Sequence, residues 1–167
     1  VSDLQYLGKL THSPTVEDRN LMQSEPGLFP VTVEHLGNTT SSVEEAEKVL
    51  QLIQQDLGKS WISGKGKPPK ELGQDDFIVV TPFNDQVRLI QSTLSRAGLE
   101  EVRVGTVDRF QGQEAAIAVV SMTASSGEEL PRGVDFVLSP NRLNVSISRG
   151  QWRAYLIYSP DLLKVQT

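Results

Sequence analysis

The chain has 167 residues, of which 38% are hydrophobic and 22% charged, with a formal net charge of −5 and a pI of about 5.1. That length allows one domain with a real core, and the balance excludes a disordered or fibrous chain. The absence of cysteine excludes a disulfide framework and cysteine-ligated metal, and it fits the cytoplasm. The apolar runs fall far short of a membrane span, and no basic-then-apolar leader opens the chain. Val1 in place of Met is expected of a fragment or a processed product.

Residues 1–30 have weak periodicity and read as a peripheral segment; TVEDRNLMQSE is expected to make a short helix capped by Thr15. VTVEHL (Val31 to Leu36) is β-branched and alternating, as a strand is. A long helix follows. Ser41 or Ser42 can cap it, with Glu44 or Glu45 three residues on as in a capping box, and Gly58 ends it. Its apolar positions, Val43, Ala46, Leu50, Ile53 and Leu57, recur at helical spacing. Lys59 to Gln74 is rich in glycine, proline and lysine and is expected to be a mobile loop.

FIVVT (Phe77 to Thr81) is a short, continuously apolar run, as expected of a strand covered on both faces. Asn84 or Asp85 can cap a second helix, with Val87, Ile90, Leu94 and Ala97 on one face and Gly98 at its end. Strands at Val102 to Thr106 and Ile117 to Met122 bracket the polar stretch GTVDRFQGQE (Gly105 to Glu114). After the loop TASSGEELPRG, SPNRLNVSISRG predicts a helix with Ser139 as cap and Pro140 at its first position. AYLIYS (Ala154 to Ser159) is a last buried strand. Apolar strands alternating with amphipathic helices predict an α/β domain over 31–167 with a mainly parallel sheet flanked by helices. Ligand sites in such sheets lie at the carboxyl ends of the strands, which makes TPFND, GTVDRFQGQE and the NRLNVSISRG helix candidates for one edge.

GKS at Gly58 to Ser60 looks like the tail of a phosphate-binding loop, but the first glycine of G-x-x-x-x-G-K-[ST] would fall at Ile53, inside a helix. It reads as a helix stop followed by a lysine, and no other segment supplies such a loop. The acidic balance makes any nucleic-acid grip local. From Arg103 to Arg153 there are six arginines and no lysine, and arginine suits bidentate contact with phosphate; surface salt bridging is the alternative. On a helix, Arg142, Ser146 and Arg149 would share one face, with the guanidiniums about 10 Å apart along the axis. Fixed positive charge of that kind stabilises a transferring phosphoryl group. In GTVDRFQGQE, Gly112 permits close approach or an unusual φ. Glu114 can accept from sugar hydroxyls or hold an arginine, and Thr106 can meet phosphate oxygens. Asp108 by itself reads equally as a turn cap.

VGTVDRFQGQEA followed by NRLNVSISRGQ resembles motifs V and VI of superfamily 1 helicases, in the 1B branch that contains the nonsense-mediated-decay helicase and the Okazaki-fragment helicase–nuclease. TPFNDQ (Thr81 to Gln86) is similar to the T-P-Y-x-x-Q element of that branch, and the order and spacing agree. The resemblance covers about Val31 to Leu162 and extends to bacterial fusions of such a helicase with a RecB-type nuclease.

The resemblance implies a second RecA-like, doubly wound motor domain, whose phosphate loop and Mg2+-binding acid belong to the first motor domain of the same parent chain. It implies ATP as cofactor, with Mg2+ held mainly elsewhere. Arg149 matches the motif VI arginine that reaches the γ-phosphate. Gly112, Glu114 and Arg142 fall beside the nucleotide. Thr81, with Pro82 and Phe83, and Thr106, with Asp108, fall on the nucleic-acid backbone. The implied partner is single-stranded nucleic acid, DNA favoured over RNA. The fragment alone is expected to be inactive. Ser146 and Gly150 stand where alanine is common, and Asn141 where a second arginine is frequent. The alternative from another class is a non-catalytic nucleic-acid-binding or scaffold domain of the same fold.

Overall fold

The computed structural model describes residues 19–21, 25–126 and 139–163. A five-stranded sheet forms the centre. Its strands are β2 (Gly27–Thr32), β5 (Phe77–Val80), β6 (Arg103–Gly105), β7 (Ala115–Ser121) and β8 (Gly150–Tyr158), in the order β2-β8-β7-β5-β6. All four pairings are parallel. The three inner strands are apolar runs because both their faces are covered. Their side chains alternate between two core layers. Phe77, Val79, Ile117, Val119, Tyr155 and Ile157 face one layer, and Ile78, Val80, Ala118, Val120, Ala154 and Leu156 the other.

Helices α1 (Val43–Asp56) and α2 (Asn84–Arg96) cover the first layer, packing Ala46, Val49, Ile53, Ile90 and Leu94. The second is covered by α3 (Pro140–Ile147), the short helix α4 (Pro160–Leu163) and a 3-10 turn, Val107–Phe110, through Leu143, Ile147, Leu162 and Phe110. Helices on both faces of a parallel sheet make the α/β, doubly wound, RecA-like arrangement expected from the alternating pattern.

Several boundaries differ from the sequence reading. The first strand of the central sheet runs Gly27–Thr32 rather than 31–36, because its register is set by pairing with β8, Gly27 opposite Arg153 through Thr32 opposite Tyr158. Of the stretch 15–25 expected to be helical, only 19–21 and 25 are described. There Asn20–Leu21 is a strand, β1, paired with β3 (Ser60–Ile62). The supposed loop 59–74 contains β3 and β4 (Lys70–Glu71), which complete a small antiparallel sheet. Trp61 anchors it, buried edge-on against Trp152 at 6.0 Å between ring centres. Asn84 and Asp85 begin α2 rather than cap it; the N-cap position is Phe83, with no side-chain cap. Ser139 occupies the N-cap of α3, also without a side-chain bond. Gly58 does stop α1, at φ 87°, and Lys59 Nζ lies 2.7 Å from Asp56 Oδ1.

Buried Asp56 is also reached by the hydroxyl of Tyr155 on β8, which donates to Oδ2 at 2.6 Å. Burial, and then this bond to a carboxylate, push the Tyr155 phenol from 10.0 up to about 12. A raised folded-state value favours the neutral phenol in the folded chain. Its contribution to stability is therefore complete below about pH 10 and is lost as pH rises toward 12. Tyrosinate absorbance is expected to show one late-ionising tyrosine. Tyr155→Phe should abolish that step and flatten the fall in melting temperature between pH 10 and 12.

Candidate nucleotide edge and nucleic-acid rim

The stretch 106–114 is not a loop on one edge. It leaves the carboxyl end of β6 and must enter β7 at its amino end, because β6 and β7 are both parallel to the β5 between them. Gly105 and Val120 both sit level with Val80, so the chain descends the five residues from Val120 to Ala115, roughly 16 Å at 3.3 Å per residue. A single 3-10 turn makes that crossing, with Phe110 completely buried beneath it. The stem of Arg109 lies over Gly105, where an added Cβ would meet Arg109 Cδ at 2.5 Å. Its Nη1 donates to Val104 O at 2.5 Å, closing the turn onto β6.

The sequence-predicted residues therefore divide between two edges. At the amino edge, Gly112 adopts φ 77°, a left-handed conformation that favours glycine. Glu114 is exposed, 3.4 Å from Gln151 Nε2. Arg149 lies just past the end of α3. Its Nε donates to Val145 O at 3.2 Å and its Nη1 to Gln113 O at 3.1 Å, while its own carbonyl accepts from Ala115 N at 2.9 Å. These bonds hold the guanidinium plane against the 111–114 turn. Glycine at 150 has a steric reason: a Cβ there would stand 2.3 Å from Arg153 O and 3.1 Å from Ala118 N.

At the carboxyl edge, Thr81 follows β5 and Thr106 follows β6, on neighbouring strands, and Thr81 N donates to Gly105 O at 3.2 Å. Thr106, Pro82 and the exposed Asp108 reach the surface. Thr81 and Phe83 do not: both are buried, and the Thr81 hydroxyl lies 3.0 Å from that of Thr123. Arg142 lines a shallow cavity with Thr81, Pro82, Val107, Leu143 and Ser146. The shared face expected of Arg142, Ser146 and Arg149 does not form. Ser146 turns inward and donates to Arg142 O at 2.8 Å. The helix runs back along the sheet, so Arg142 ends at the carboxyl rim and Arg149 at the opposite edge. The expectation of one common edge is corrected accordingly. Among the described residues no cluster of histidine, cysteine or carboxylate could hold a metal ion, and no helix is long and apolar enough to cross a membrane.

Sequence reading passed over a polar network beneath this rim. Glu45 was read as a capping-box residue. Ser42 does cap α1, accepting from Glu45 N at 3.1 Å, but the Ser42 amide donates to Gln86 Oε1 at 2.7 Å instead of to Glu45. The Glu45 carboxylate is wholly buried and reaches across to β7. Its Oε1 accepts from Ser121 Oγ at 2.8 Å and from Thr123 N at 2.9 Å, and Oε2 lies 2.7 Å from His35 Nε2. On its other side, His35 Nδ1 lies 2.6 Å from Ser125 Oγ and 3.0 Å from Asn38 Nδ2. Thr123 is the one described non-glycine residue with positive φ, 78°, a conformation that costs roughly 1–3 kcal/mol and persists where surrounding contacts impose it. The S-x-x-E spacing was the signal available, but it specifies a local cap, not a partner on a distant strand.

Comparison with known proteins bears on the family of the chain. A family model described as an AAA domain matches residues 1–160. The DNA polymerase alpha-associated DNA helicase A of Schizosaccharomyces pombe is 42% identical over 98% of this chain and 26% of its own length. The Regulator of nonsense transcripts 1 homolog of Drosophila melanogaster is 26% identical over 99% of the chain and 14% of its own. The Probable RNA helicase armi, also of Drosophila melanogaster, is 33% identical over 54% of the chain and 8% of its own. The chain thus spans about a quarter or less of these relatives. With the motif V and VI stretches on a doubly wound sheet and a family match over nearly its whole length, the chain belongs to the AAA-domain family matched here and is a C-terminal RecA-like domain of the superfamily 1 helicase kind.

Proposed function

We propose that this chain is the second motor domain of an ATP-dependent helicase or translocase, and that it supplies an arginine finger and part of a nucleic-acid track. One observation carries the reading: a single crossing segment, 106–114, joins the Arg149 edge to the Thr106 rim. Arg149 is held by Gln113 O and Val145 O, and among the described residues its Nη2 has no hydrogen bond, which leaves a planar donor for a phosphate oxygen. Gly112 and Glu114 flank it. Bound ATP with Mg2+ supplies the transferable phosphoryl group, and the cradle and metal ligands come from the first RecA-like domain of the same parent chain.

On the rim, Thr106, Asp108 and Pro82 meet the backbone of a single-stranded nucleic acid, DNA favoured over RNA. Thr81 and Phe83 support them from behind, and Arg142 acts from this side of α3. Contacts to the backbone position a nucleic acid without reading its bases. Closure of the two motor domains on nucleotide would pull residues 106–114 from one end and shift the grip at the other. The working compartment is the cytoplasm.

Two measurements test this. The purified 167-residue chain is expected to show no ATP turnover; turnover that disappears with Arg149→Ala would overturn the two-domain reading. In the full-length protein, Thr106→Ala is expected to weaken binding of a fluorescent single-stranded oligonucleotide by roughly tenfold, the worth of about one charge-assisted hydrogen bond. Unchanged affinity would remove the track.

A further inference from the structure

We propose that Glu45 is a positioning residue for the nucleic-acid rim, holding Thr123 in its left-handed conformation so that Thr81 and Thr106 keep their register. The inference rests on the track reading above and deepens it. The location is significant in itself. The connection after β5 leads to α2 on one face, and that after β7 leads to α3 on the other. The carboxyl ends of β5 and β7 therefore flank a topological switch point, where open α/β sheets place their ligands. Thr81 and Thr123 stand at that point with hydroxyls 3.0 Å apart.

A wholly buried carboxylate is costly unless every oxygen is engaged. Glu45 meets that condition with the Thr123 amide, the Ser121 hydroxyl and His35. Capping α1 needs none of these contacts, since Gln86 already satisfies the Ser42 amide and Ser42 Oγ satisfies the Glu45 amide. What they do hold is the one described non-glycine backbone at positive φ. From there the connection is short: Thr123 Oγ1 to Thr81 Oγ1, then Thr81 N to Gly105 O, immediately before Thr106. Removing the acceptor at Glu45 frees Thr123 to relax toward negative φ, and the relaxed chain no longer meets the Thr81 hydroxyl.

The experiment uses the full-length protein, a fluorescent single-stranded oligonucleotide and ATPase assays. Glu45→Ala, which removes the acceptor, is expected to weaken oligonucleotide affinity on the order of tenfold, with the loss read in Kd for the oligonucleotide rather than in KM for ATP. Glu45→Gln keeps an amide oxygen that can accept from Thr123 N and Ser121 Oγ, and it is expected to retain most of the affinity. A glutamine variant as weak as the alanine variant overturns the proposal. So does Glu45→Ala with normal affinity where Thr106→Ala has lost it. If neither Glu45→Ala nor Thr106→Ala weakens binding, the track reading itself fails and takes this inference with it. Should Glu45→Ala fold poorly, Thr123→Val removes the hydroxyl link while leaving Glu45 in place; it is expected to weaken binding, and unchanged affinity overturns the inference.

Discussion

Arg149→Ala is expected to lower kcat of the full-length protein by roughly 10³-fold while changing oligonucleotide affinity little. Charge accumulates on the phosphoryl oxygens mainly in the transition state, so a guanidinium placed there acts on turnover more than on binding. Arginine fingers contribute roughly 10³–10⁵-fold in phosphoryl transfer, and the loss expected here is the lower end of that range. The geometry specifies the rescue as well. Nε and Nη1 are both engaged by backbone carbonyls, of Val145 and Gln113, so the planar fork is held by two fixed points while Nη2 has no hydrogen bond among the described residues. A lysine has a single head group and cannot keep both anchors and a further donor. Arg149→Lys should therefore stay well below wild type. ATPase rates with and without single strands check this. Near-normal turnover with lost oligonucleotide binding would mean that this edge faces the nucleic acid.

Phe110→Ala is expected to destabilise the domain by about 3–5 kcal/mol, the usual cost of emptying an aromatic site in a core. The ring is fully buried in the layer formed with Ile78, Ala118 and Leu143. It also fixes the only turn of regular structure in the crossing between β6 and β7. Asp108, exposed two residues earlier, should tolerate alanine within about 0.5 kcal/mol. Denaturant unfolding of both variants measures the contrast. A Phe110→Ala protein with wild-type stability and poor oligonucleotide binding would show the ring to be a contact rather than an anchor.

How legible this fold was depended on whether the determining contacts were local. The inner strands could be read because burial on both faces writes itself as an unbroken apolar run, as in Ile117 to Val120. Ser42 and Gly58 could be read because caps and stops act within one turn. The first strand was misplaced because Leu28 and Phe29 become strand only through pairing with Ala154 and Tyr155, and no local pattern encodes that partner. The hairpin of β3 and β4 was hidden for the same reason: Trp61 needs Trp152 to bury it. The site divided along the same line. GTVDRFQGQE was conspicuous as a motif, but only the parallel topology shows that its two ends serve opposite edges. The S-x-x-E spacing of Glu45 points only to a local cap, and His35 and Thr123 carry no conspicuous pattern, since polar residues beside a loop read as surface.

The two outer strands of the central sheet have a bearing on how this chain behaves in a crowded solution. A row of unpaired amides and carbonyls on an outer strand invites a second molecule to add on, and repeated addition ends in aggregates. β2 carries the exposed Pro30, which has no N–H to offer. β6 is three residues long, and Arg103 lies across it, donating to Asp75 O at 2.7 Å and to Gln113 Oε1 at 3.1 Å. Neither side presents a long flat ladder to a neighbour. Replacing Pro30 with a β-branched residue would restore the missing donor, and the price would be a chain that sediments with itself on standing.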